Sequence, residues 1–443
     1  MKPFSKLCDA TDWFDPEFER IIRAELEEEP RFHRKQWEFV QIFRTLQALG
    51  FLNAKSRGLS MGGGEERLLY AVARHVGHLT VTDLYESSSA WDGARTDNPD
   101  RSLKAAAPFA IDPSRLTARR MDMRALEFED ASFDFCYSSC AIEHIGTYDD
   151  FLEHLQQVRR VLKDDGVYVL TTEFHYGEDV ISAPRNYYFS SGFLHELVRA
   201  ASFATFSGVD GAVSPHVFNR PLPVNLSDLC ADPADGVTGM LLKSAPHVQL
   251  LTGGLPFSSV SLVLTKPAPG VSIGVLPMAG LEDSRQFIEE GVRLWKAFVE
   301  NAQLNLDPFG LFGDRRPGRG SPRLVAVDGE STLFHTGYVW LGGAARTVTV
   351  NLEAWPADTA DAAIEVRVHR KPTRQPDEVI CSGSIPVAIR GRERVRVCLQ
   401  LTAEEGCSYA VLGKVTTGAC WIDDAAVQIS AGRRGFHGRV AAP

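Results

Sequence analysis

Apolar residues in the first fifty positions follow the spacing of an amphipathic helix. Between residues 15 and 50 the apolar side chains recur at helical steps, at Trp37, Val40, Phe43, Leu46 and Leu49. Gly50 follows directly and suits the end of a helix, because glycine readily adopts the left-handed backbone found there. The pattern predicts an N-terminal helical segment over residues 1–50.

A different pattern begins at residue 51, where short apolar strands alternate with amphipathic helices. Strands are predicted in RGLSM, LTVTDLY, ASFDFCYSSC, GVYVLTTEF and SSVSLVLTKP. Helices are predicted between them in EERLLYAVARHV, YDDFLEHLQQVRRVLKDDG and SSGFLHELVRAASF. Alternation of this kind is typical of a doubly wound α/β domain, in which helices cover both faces of a parallel sheet. We therefore expect such a domain over residues 51–267.

The sequence pattern changes at residue 268 and again at residue 323. Residues 268–322 are rich in Gly and Pro and are predicted to be a linker. A helix predicted over 282–306 interrupts it and carries Phe287, Leu294 and Phe298 on one stripe. From residue 323 to residue 443 apolar and polar residues alternate, as in RTVTVNLEAW and RVRVCLQLT. Because such alternation is typical of strands with one buried face, it predicts a jelly-roll-like β-sandwich domain.

Composition limits the class of partner. The 443 residues carry a formal net charge of −10, with 44% hydrophobic and 23% charged residues. The negative charge argues against a nonspecific nucleic-acid binder, which normally presents a basic surface. No run approaches the ~20 apolar residues of a membrane span, and the acidic N-terminus lacks the apolar core of a signal peptide. We expect a cytoplasmic protein with no nucleic-acid partner and no membrane span.

The eight cysteines are scattered and form no CxxC pair. Cys136 and Cys140 are close in sequence, but no second pair of ligands follows them. A zinc site would need clustered ligands, so we expect no metal. The thiols are expected to be buried and reduced, as in a cytosolic protein.

The segment RGLSMGGGEERLLYAVA places three glycines between the first strand and the first helix of the α/β domain. Glycines at such a turn let the backbone approach a ligand closely, although a triple glycine also occurs in plain structural turns. Asp83 ends the next strand, and an acid at this position suits hydrogen bonds to ribose hydroxyls. Glu66 and Arg67 stand where a dinucleotide-binding turn would place its third glycine.

Residues 119–145, RRMDMRALEFEDASFDFCYSSCAIEHI, narrow the choice of cofactor. The order of an acid before an apolar residue, a SFD-type segment, a strand and then EHI resembles class I S-adenosylmethionine-dependent methyltransferases. The resemblance covers residues 50–267, because the later helices and strands also follow the family's order. It implies a Rossmann-like methyltransferase sheet and S-adenosylmethionine as the cofactor. A nicotinamide dehydrogenase would need a catalytic Lys, Tyr or His arrangement that this region lacks.

The resemblance also implies which residues contact the cofactor. Asp83 would bind the ribose, and Asp122 with Met123 would hold the adenine through a side-chain acid and a backbone N–H. The full set assigned to the cofactor is Ser60, Gly62, Gly63, Gly64, Asp83, Leu84, Asp122, Met123 and Ser138. Ser60 departs from the family pattern, because an acid that helps to hold the methionine end usually stands there.

A narrower group resembles the chain at the same places, namely bacterial methyltransferases of surface-polysaccharide and glycosyl-transfer loci. That group carries a W(E)…L…LG segment before a GxxxGxGxE turn and then TDL. The matching residues are Trp37, Glu38, Leu46, Leu49, Gly50, Gly58, Gly62, Gly64, Glu66, Thr82, Asp83 and Leu84. In that group the missing acid at Ser60 is ordinary, and the likeness implies O-methylation of a saccharide or glycan-linked acceptor.

Methyl transfer to a hydroxyl benefits from a base at the carboxyl ends of the strands. His144, after the fourth strand, and His175, after the fifth, are the two candidates for the catalytic base. Both suit the role because imidazole titrates in the range that base catalysis needs. Packing or a cofactor contact would explain His144 equally well, and His175 would otherwise lie in a solvated loop.

The β domain and the 282–306 helix leave several roles open. Trp340, Trp355, Tyr338 and Trp421 would offer stacking platforms for a glycan acceptor, although each also suits a core position. The helix would either pair two copies of the chain into a homo-oligomer or pack on the α/β domain. The alternative functions are methylation of a small-molecule metabolite, a lipid or a protein, and a non-catalytic binding or scaffold module.

Overall fold

The computed structural model describes residues 4–86, 92–183, 186–224, 226, 244–268, 273, 278–309, 322–327, 331–358, 361–374 and 378–431. The chain divides into two compact units, each described here by itself. The first comprises Met1–Arg220, Pro246–Gln249 and Phe257–Ile288, and the second comprises Pro221–Ala245, Leu250–Pro256 and Glu289–Pro443.

A long mixed sheet forms the centre of the first unit. In chain order, the strands described up to residue 279 are β1 Lys6–Leu7, β2 Arg57–Met61, β3 His78–Asp83, β4 Leu116–Arg120, β5 Phe133–Ser139, β6 Leu162–His175, β7 Ile181–Ala183, β8 Asn186–Tyr188, β9 Ala204–Thr205, β10 Val209–Asp210, β11 Leu222–Pro223, β12 Leu250–Thr252, β13 Leu255–Thr265 and β14 Met278–Ala279. The main sheet has the order β14-β10-β1-β13-β6-β5-β2-β3-β4, whereas the residues of β11 and β12 belong to the second unit.

The direction of the strands changes at β13. The neighbouring pairs from β4 through β3, β2 and β5 to β6 are all parallel. β13 runs antiparallel to both β6 and β1. The expectation of an all-parallel sheet is therefore wrong at this strand. Its apolar run predicts burial but does not encode direction, which depends on the connection that precedes the strand.

The helices in the described segments are α1 Pro16–Arg20, α2 Arg34–Ala48, α3 Arg67–Ala73, α4 Pro99–Ala105, α5 Tyr148–Val161, α6 Ser191–Ala200 and α7 Leu281–Asn301. The N-terminal segment is not one continuous helix, since a π-helical turn at Ile21–Glu25 extends α1 and the chain leaves helical geometry before α2. Pro30 lies in this gap, where its missing N–H and the restricted residue before it interrupt a helix. No helix of the described segments combines the length and the apolar character needed to cross a bilayer.

Helices cover both faces of the main sheet. Phe135 and Tyr137 of β5 belong to one hydrophobic cluster, together with residues of α2 and α3. Cys136, which lies between them, belongs to a second cluster with residues of α5 and α6. Alternate residues of a strand point to opposite faces of the sheet, so the two clusters lie on opposite faces. This layering confirms the expected Rossmann-like α/β fold.

The second unit is rich in antiparallel strands. Its later strands are β15 Leu304–Leu306, β16 Arg323–Ala326, β17 Thr332–His335, β18 Val339–Trp340, β19 Ala345–Pro356, β20 Ala362–Pro372, β21 Ile380–Ile389, β22 Glu393–Thr402, β23 Cys407–Thr417 and β24 Ala419–Ala431. One sheet has the order β15-β24-β19-β22, with β16 also on β24, and the other has the order β17-β23-β20-β21, with β18 also on β23. Side chains of both sheets, among them Val350 and Val366, share one hydrophobic cluster. The β-rich character expected for the C-terminal region is confirmed.

Helix α7 buries a different face from the stripe that the sequence pattern indicated. Leu281 and Ile288 are buried, and Phe287 is half-buried. Leu294 and Phe298 are 60% and 53% exposed. The expected stripe is therefore only half-buried at its first member, Phe287, and the other two members present an apolar surface to solvent.

Candidate active site

Glycines shape the turn that follows β2. Gly62 has φ +63°, and a Cβ at this position would lie 2.5 Å from Cβ of Ala141. Gly64 has φ +46°, a left-handed conformation that favours glycine. A Cβ on Gly63 would lie 2.9 Å from Oγ of Ser60. Larger residues would clash or be strained in this turn, as expected for a backbone that a ligand approaches closely.

Asp83 ties the tip of β3 to this turn. Its Oδ2 accepts a hydrogen bond from the backbone N–H of Gly64 at 2.9 Å, and its Oδ1 accepts one from Leu84 at 2.7 Å. Burial raises the pKa of Asp83, although the two N–H donors favour its charged form. Each carboxylate oxygen keeps capacity for a further donor. Leu84, beside it, is 54% exposed, so the tip presents both an acceptor and an apolar surface.

Asp122 lies in the loop after β4 and is held by Arg124. The guanidinium donates to the carboxylate from Nε at 3.0 Å and from Nη2 at 2.6 Å, and the Arg124 backbone N–H donates at 2.9 Å. These bonds lower the pKa of Asp122. Arg124 also binds Asp150, at the start of α5, at 2.7 Å. Asp122 is thus tied to a neighbour, and its assigned contact with adenine stays a prediction.

Ser138 belongs to a buried chain of hydrogen bonds. Its Oγ lies 2.7 Å from the hydroxyl of Tyr168, which lies 2.9 Å from Nε2 of His154. Nδ1 of His154 lies 3.0 Å from the carbonyl oxygen of Met123. Burial lowers the pKa of His154 to about 4, so the neutral ring donates to Met123 and accepts from Tyr168. The chain braces the loop at Met123, and the cofactor contact assigned to Ser138 stays a prediction.

The two candidate bases have different surroundings. Nδ1 of His175 accepts a hydrogen bond from the N–H of Gly177 at 3.0 Å, and Nε2 contacts the carbonyl oxygen of Asp179. Both nitrogens of this buried ring are therefore engaged by the backbone. His144 ends the short 3-10 turn Ile142–His144 after β5 and is half-buried.

Glu143, next to His144, is fully buried. Its Oε2 accepts a hydrogen bond from Oγ1 of Thr172 at 2.9 Å, while its Oε1 has no partner among the described residues. Burial raises the pKa of Glu143, against the lowering effect of His144. A buried oxygen without a donor costs free energy, so this carboxyl marks a place where a bound molecule would supply one.

Helix α2 brings charged residues over the carboxyl ends of β5 and β6 and the neighbouring end of β13. The residues Arg34, Lys35, Glu38, Glu66, Ser139, Cys140, Glu173 and Ser259 are named the α2 polar cluster. Nζ of Lys35 donates to Oε1 of Glu66 at 2.8 Å and to the carbonyl and hydroxyl oxygens of Ser139, both at 2.9 Å. It also lies 3.4 Å from Oε2 of Glu38. Lys35 therefore links the helix to the residues that follow β2 and end β5.

Glu38 is fully buried inside this cluster. It accepts hydrogen bonds from Oγ of Ser259 at 2.5 Å and from Sγ of Cys140 at 3.1 Å, and it pairs with Arg34 at 3.3 Å. Burial alone would raise the pKa of Glu38, but Lys35 and Arg34 outweigh burial and lower it. Glu38 is therefore a charged acceptor that binds the donors Arg34, Ser259 and Cys140.

Two further oxygens near the cluster lack donors. Oε2 of Glu66 has no partner among the described residues, and the same holds for Oδ1 of Asn186, whose Nδ2 donates to Glu173 at 2.8 Å. Burial raises the pKa of Glu66 to about 7, despite the lowering effect of Lys35. Within the part of the chain that the structure describes, no group of three His, Cys, Asp or Glu side chains is arranged to hold a metal ion. Because buried polar atoms are nearly always hydrogen-bonded, these two oxygens are places where a donor group would bind.

Sequence reasoning missed most of this cluster. Glu38 entered only through a resemblance, Glu66 entered through a resemblance and as a departure from the dinucleotide-binding turn, and Arg34 and Lys35 were not singled out. The available signal was the spacing of Arg34 and Glu38, one helical turn apart. That spacing is equally typical of an exposed ion pair, so the sequence alone does not show that this pair is buried beside the glycine turn.

The central strands match a known family. Residues 59–170, from β2 into β6, match a family model described as methyltransferase domain. The chain carries a class I S-adenosylmethionine-dependent methyltransferase domain. The match includes the glycine turn, Asp83, Asp122 and Ser138, and S-adenosylmethionine is the cofactor of this methyltransferase.

Two solved structures are similar to part of the methyltransferase. The geranyl diphosphate C-methyltransferase from Streptomyces coelicolor is 15% identical with a TM-score of 0.35, and the match covers 59% of this chain and 90% of that chain. The 1,6-didemethyltoxoflavin-N1-methyltransferase from Burkholderia thailandensis is 15% identical with a TM-score of 0.33, covering 53% and 79%. At these scores the likeness carries no argument about the acceptor. No curated protein matches the chain.

Proposed function

We propose that this methyltransferase transfers a methyl group to a hydroxyl oxygen of a saccharide or glycan-linked acceptor. The supporting observation is a pair of buried oxygens, Oε1 of Glu143 and Oδ1 of Asn186, that have no donor among the described residues. Buried polar groups are nearly always paired, so each oxygen calls for an N–H or O–H group from a bound molecule. A polyhydroxylated acceptor supplies several such groups.

On the cofactor side, Glu66 takes over the task of the missing acid at Ser60. The methionine end of the cofactor carries an ammonium group, and the neutral hydroxyl of Ser60 cannot balance its charge. Oε2 of Glu66 is unpartnered among the described residues, and its other oxygen is already fixed by Lys35. Asp83 would accept the ribose hydroxyls with its remaining capacity, as assigned from the sequence.

When bound, S-adenosylmethionine supplies an electrophilic methyl group and leaves as a neutral thioether. The acceptor oxygen forms the new bond to the methyl carbon while the carbon–sulfur bond breaks, and the hydroxyl proton passes to a base. We assign the base to His144, because it lies in the short turn that follows β5, at the carboxyl ends of the parallel strands, and is half-buried.

The remaining parts of the proposal concern the second unit and its context. We propose that the two antiparallel sheets form a sandwich that binds the acceptor or a partner, which is supported by their shared hydrophobic cluster. The chain would act in the cytoplasm in polysaccharide biosynthesis.

Two copies would associate through α7, whose Leu294 and Phe298 are exposed. Light scattering tests this pairing by comparing the mass of Phe298→Ser with that of the wild type.

The central experiment has two stages. Isothermal titration with S-adenosylmethionine and S-adenosylhomocysteine is expected to show saturable binding, and its absence at high micromolar ligand would instead favour a scaffold module. Labelled methyl transfer is then measured with sugar nucleotides and oligosaccharides beside small metabolites, lipids and proteins. Uptake by a hydroxylated glycan is expected, and uptake confined to one of the other classes would contradict the proposed acceptor.

A further inference from the structure

The second unit contains a pocket lined by aromatic side chains. Trp295 of α7, with Tyr338 and Trp340 at β18, forms much of its wall, and Thr252 and Ser408 contribute hydroxyl groups. None of the described lining residues carries a charged side chain. Pockets with apolar walls and a few convergent polar groups are typical of small-molecule sites. This composition favours a neutral occupant over an ion.

The indole N–H of Trp340 is a buried donor that needs a hydrogen-bond acceptor. Its side chain is buried, with 8% of the residue exposed, and its Nε1 has no hydrogen-bond partner among the described residues. A buried indole N–H normally finds an acceptor. The backbone of Gly254, at φ +84°, packs closely on the indole, since an added Cβ at this position would lie 2.8 Å from Cε2 and Cζ2 of the ring.

The other two rings are more accessible. Trp295 and Tyr338 are both half-buried. Nζ of Lys371 lies 4.5 Å from the ring centre of Tyr338, so one face of this ring is already occupied. Trp295 touches Phe298 at a ring-centre distance of 5.2 Å and a tilt of 45°, a geometry that leaves part of the indole surface uncovered. Trp295 is thus the better stacking surface in the pocket.

We propose that this pocket binds a neutral sugar ring. The apolar C–H face of the sugar stacks on Trp295, and Nε1 of Trp340 donates a hydrogen bond to a ring or hydroxyl oxygen. A purely apolar ligand would leave that N–H unpaired, and an anion would find no cationic side chain among the described lining residues. The inference rests on the proposed function for the identity of the acceptor. Sugar binding itself can be measured without the cofactor.

The test uses the full chain and the methyl glycosides of glucose, galactose, mannose, rhamnose and N-acetylglucosamine. Binding is followed by saturation-transfer NMR and by tryptophan fluorescence, with no cofactor present. At least one glycoside is expected to bind in the millimolar range. Trp295→Ala should weaken its binding about tenfold, and Trp340→Phe, which keeps a ring but removes the donor, should weaken it about fivefold.

The matched control is Phe14→Ala, because Phe14 is an aromatic side chain of the first unit that is 59% exposed and does not line the pocket. It should leave sugar binding unchanged, and all three variants should keep the circular dichroism of the wild type. The inference is overturned if no glycoside binds, if Phe14→Ala weakens binding as much as the pocket variants do, or if cyclohexanol binds as tightly as the sugars. If the chain binds sugar but not S-adenosylhomocysteine, only the proposed function is overturned. If it binds S-adenosylhomocysteine but no sugar, only this inference is overturned.

Discussion

The two sides of the candidate active site are built from different kinds of contact. On the glycine-turn side, the carboxylate of Asp83 is held by backbone N–H groups, and its partner Gly64 is 19 residues away in sequence. On the α2 side, charged side chains bind partners that are far away in sequence, 104 residues from Lys35 to Ser139 and 221 residues from Glu38 to Ser259. Local chain geometry therefore shapes the glycine-turn side, whereas the α2 side depends on long-range contacts of charged side chains.

The largest effect is expected when the central charge of the α2 polar cluster is removed. Glu38→Leu leaves Arg34 and Lys35 without their shared buried acceptor, which typically costs about 3–5 kcal/mol. Urea unfolding should show this loss in the free energy of unfolding. Glu29→Leu is the control, because the Glu29 side chain is 85% exposed. A loss below about 1 kcal/mol for Glu38→Leu would mean that the cluster does not depend on this charge.

The second change acts on the cofactor side. Asp83→Ala removes an acceptor that orients the turn at Gly64 and that we assign to the ribose hydroxyls. Affinity for S-adenosylhomocysteine should fall by about 100-fold, since two charge-assisted hydrogen bonds are lost. The unfolding midpoint should change much less than in Glu38→Leu. Calorimetric titration measures the affinity, with Asp83→Asn as the conservative variant, and an unchanged affinity would contradict the ribose assignment.

The third effect is smaller and depends on pH. The folded-state pKa of Glu66 is about 7, above the ordinary carboxyl value of 4.5. Between these pH values the folded state binds more protons than the unfolded state, so the free energy of unfolding contributed by Glu66 falls as pH rises. Part of the side chain is accessible to solvent, so we expect a loss of about 2 kcal/mol across this window.

Glu66→Gln removes this titration and serves to isolate the effect. Urea unfolding at several pH values should show the wild type losing stability relative to Glu66→Gln as pH rises from about 4.5 to about 7. Glu65→Gln is the matched control, because Glu65 is exposed on the same turn. Parallel stability curves for the wild type and Glu66→Gln would contradict the raised pKa.

Much of the first unit could be predicted from the sequence, because its elements leave local signals. The strand RGLSM, the glycine turn and the helix after it each depend on residues within a few positions. The antiparallel direction of β13 could not be predicted, since direction depends on the preceding connection rather than on hydrophobicity. The same limit applies to α7, where Leu294 and Phe298 have the spacing of a buried stripe but are exposed.

The site itself was predictable only on one side. Gly62, Gly64 and Asp83 form a motif whose members are brought together by a single strand–helix–strand unit. Lys35 carries no such motif, because its partners come from elements that meet only in the folded sheet. Glu143 belongs to the EHI segment, but its contact with β6 is likewise formed only in the folded sheet. The sequence pattern of a charged helix residue is the same whether the side chain faces solvent or a buried carboxylate. Tertiary packing decides which of the two environments it has.

The placement of β1 has a consequence for the synthesis of the chain. Oγ of Ser5 accepts a hydrogen bond from the N–H of Val263 at 2.9 Å, across 258 residues, and Lys6 pairs with Ser261 of β13. At the usual pace of translation, about 5–20 residues per second, the first strand emerges roughly 10–50 s before its partner. The nearby ion pair between Lys6 and Asp12, at 2.7 Å, and the hydrogen bond from Gln41 to the carbonyl oxygen of Phe4 are within reach early in that interval. Incorporation of β1 into the sheet is thus a late event, and a nascent chain that stalls before β13 would present unpaired strand edges to chaperones.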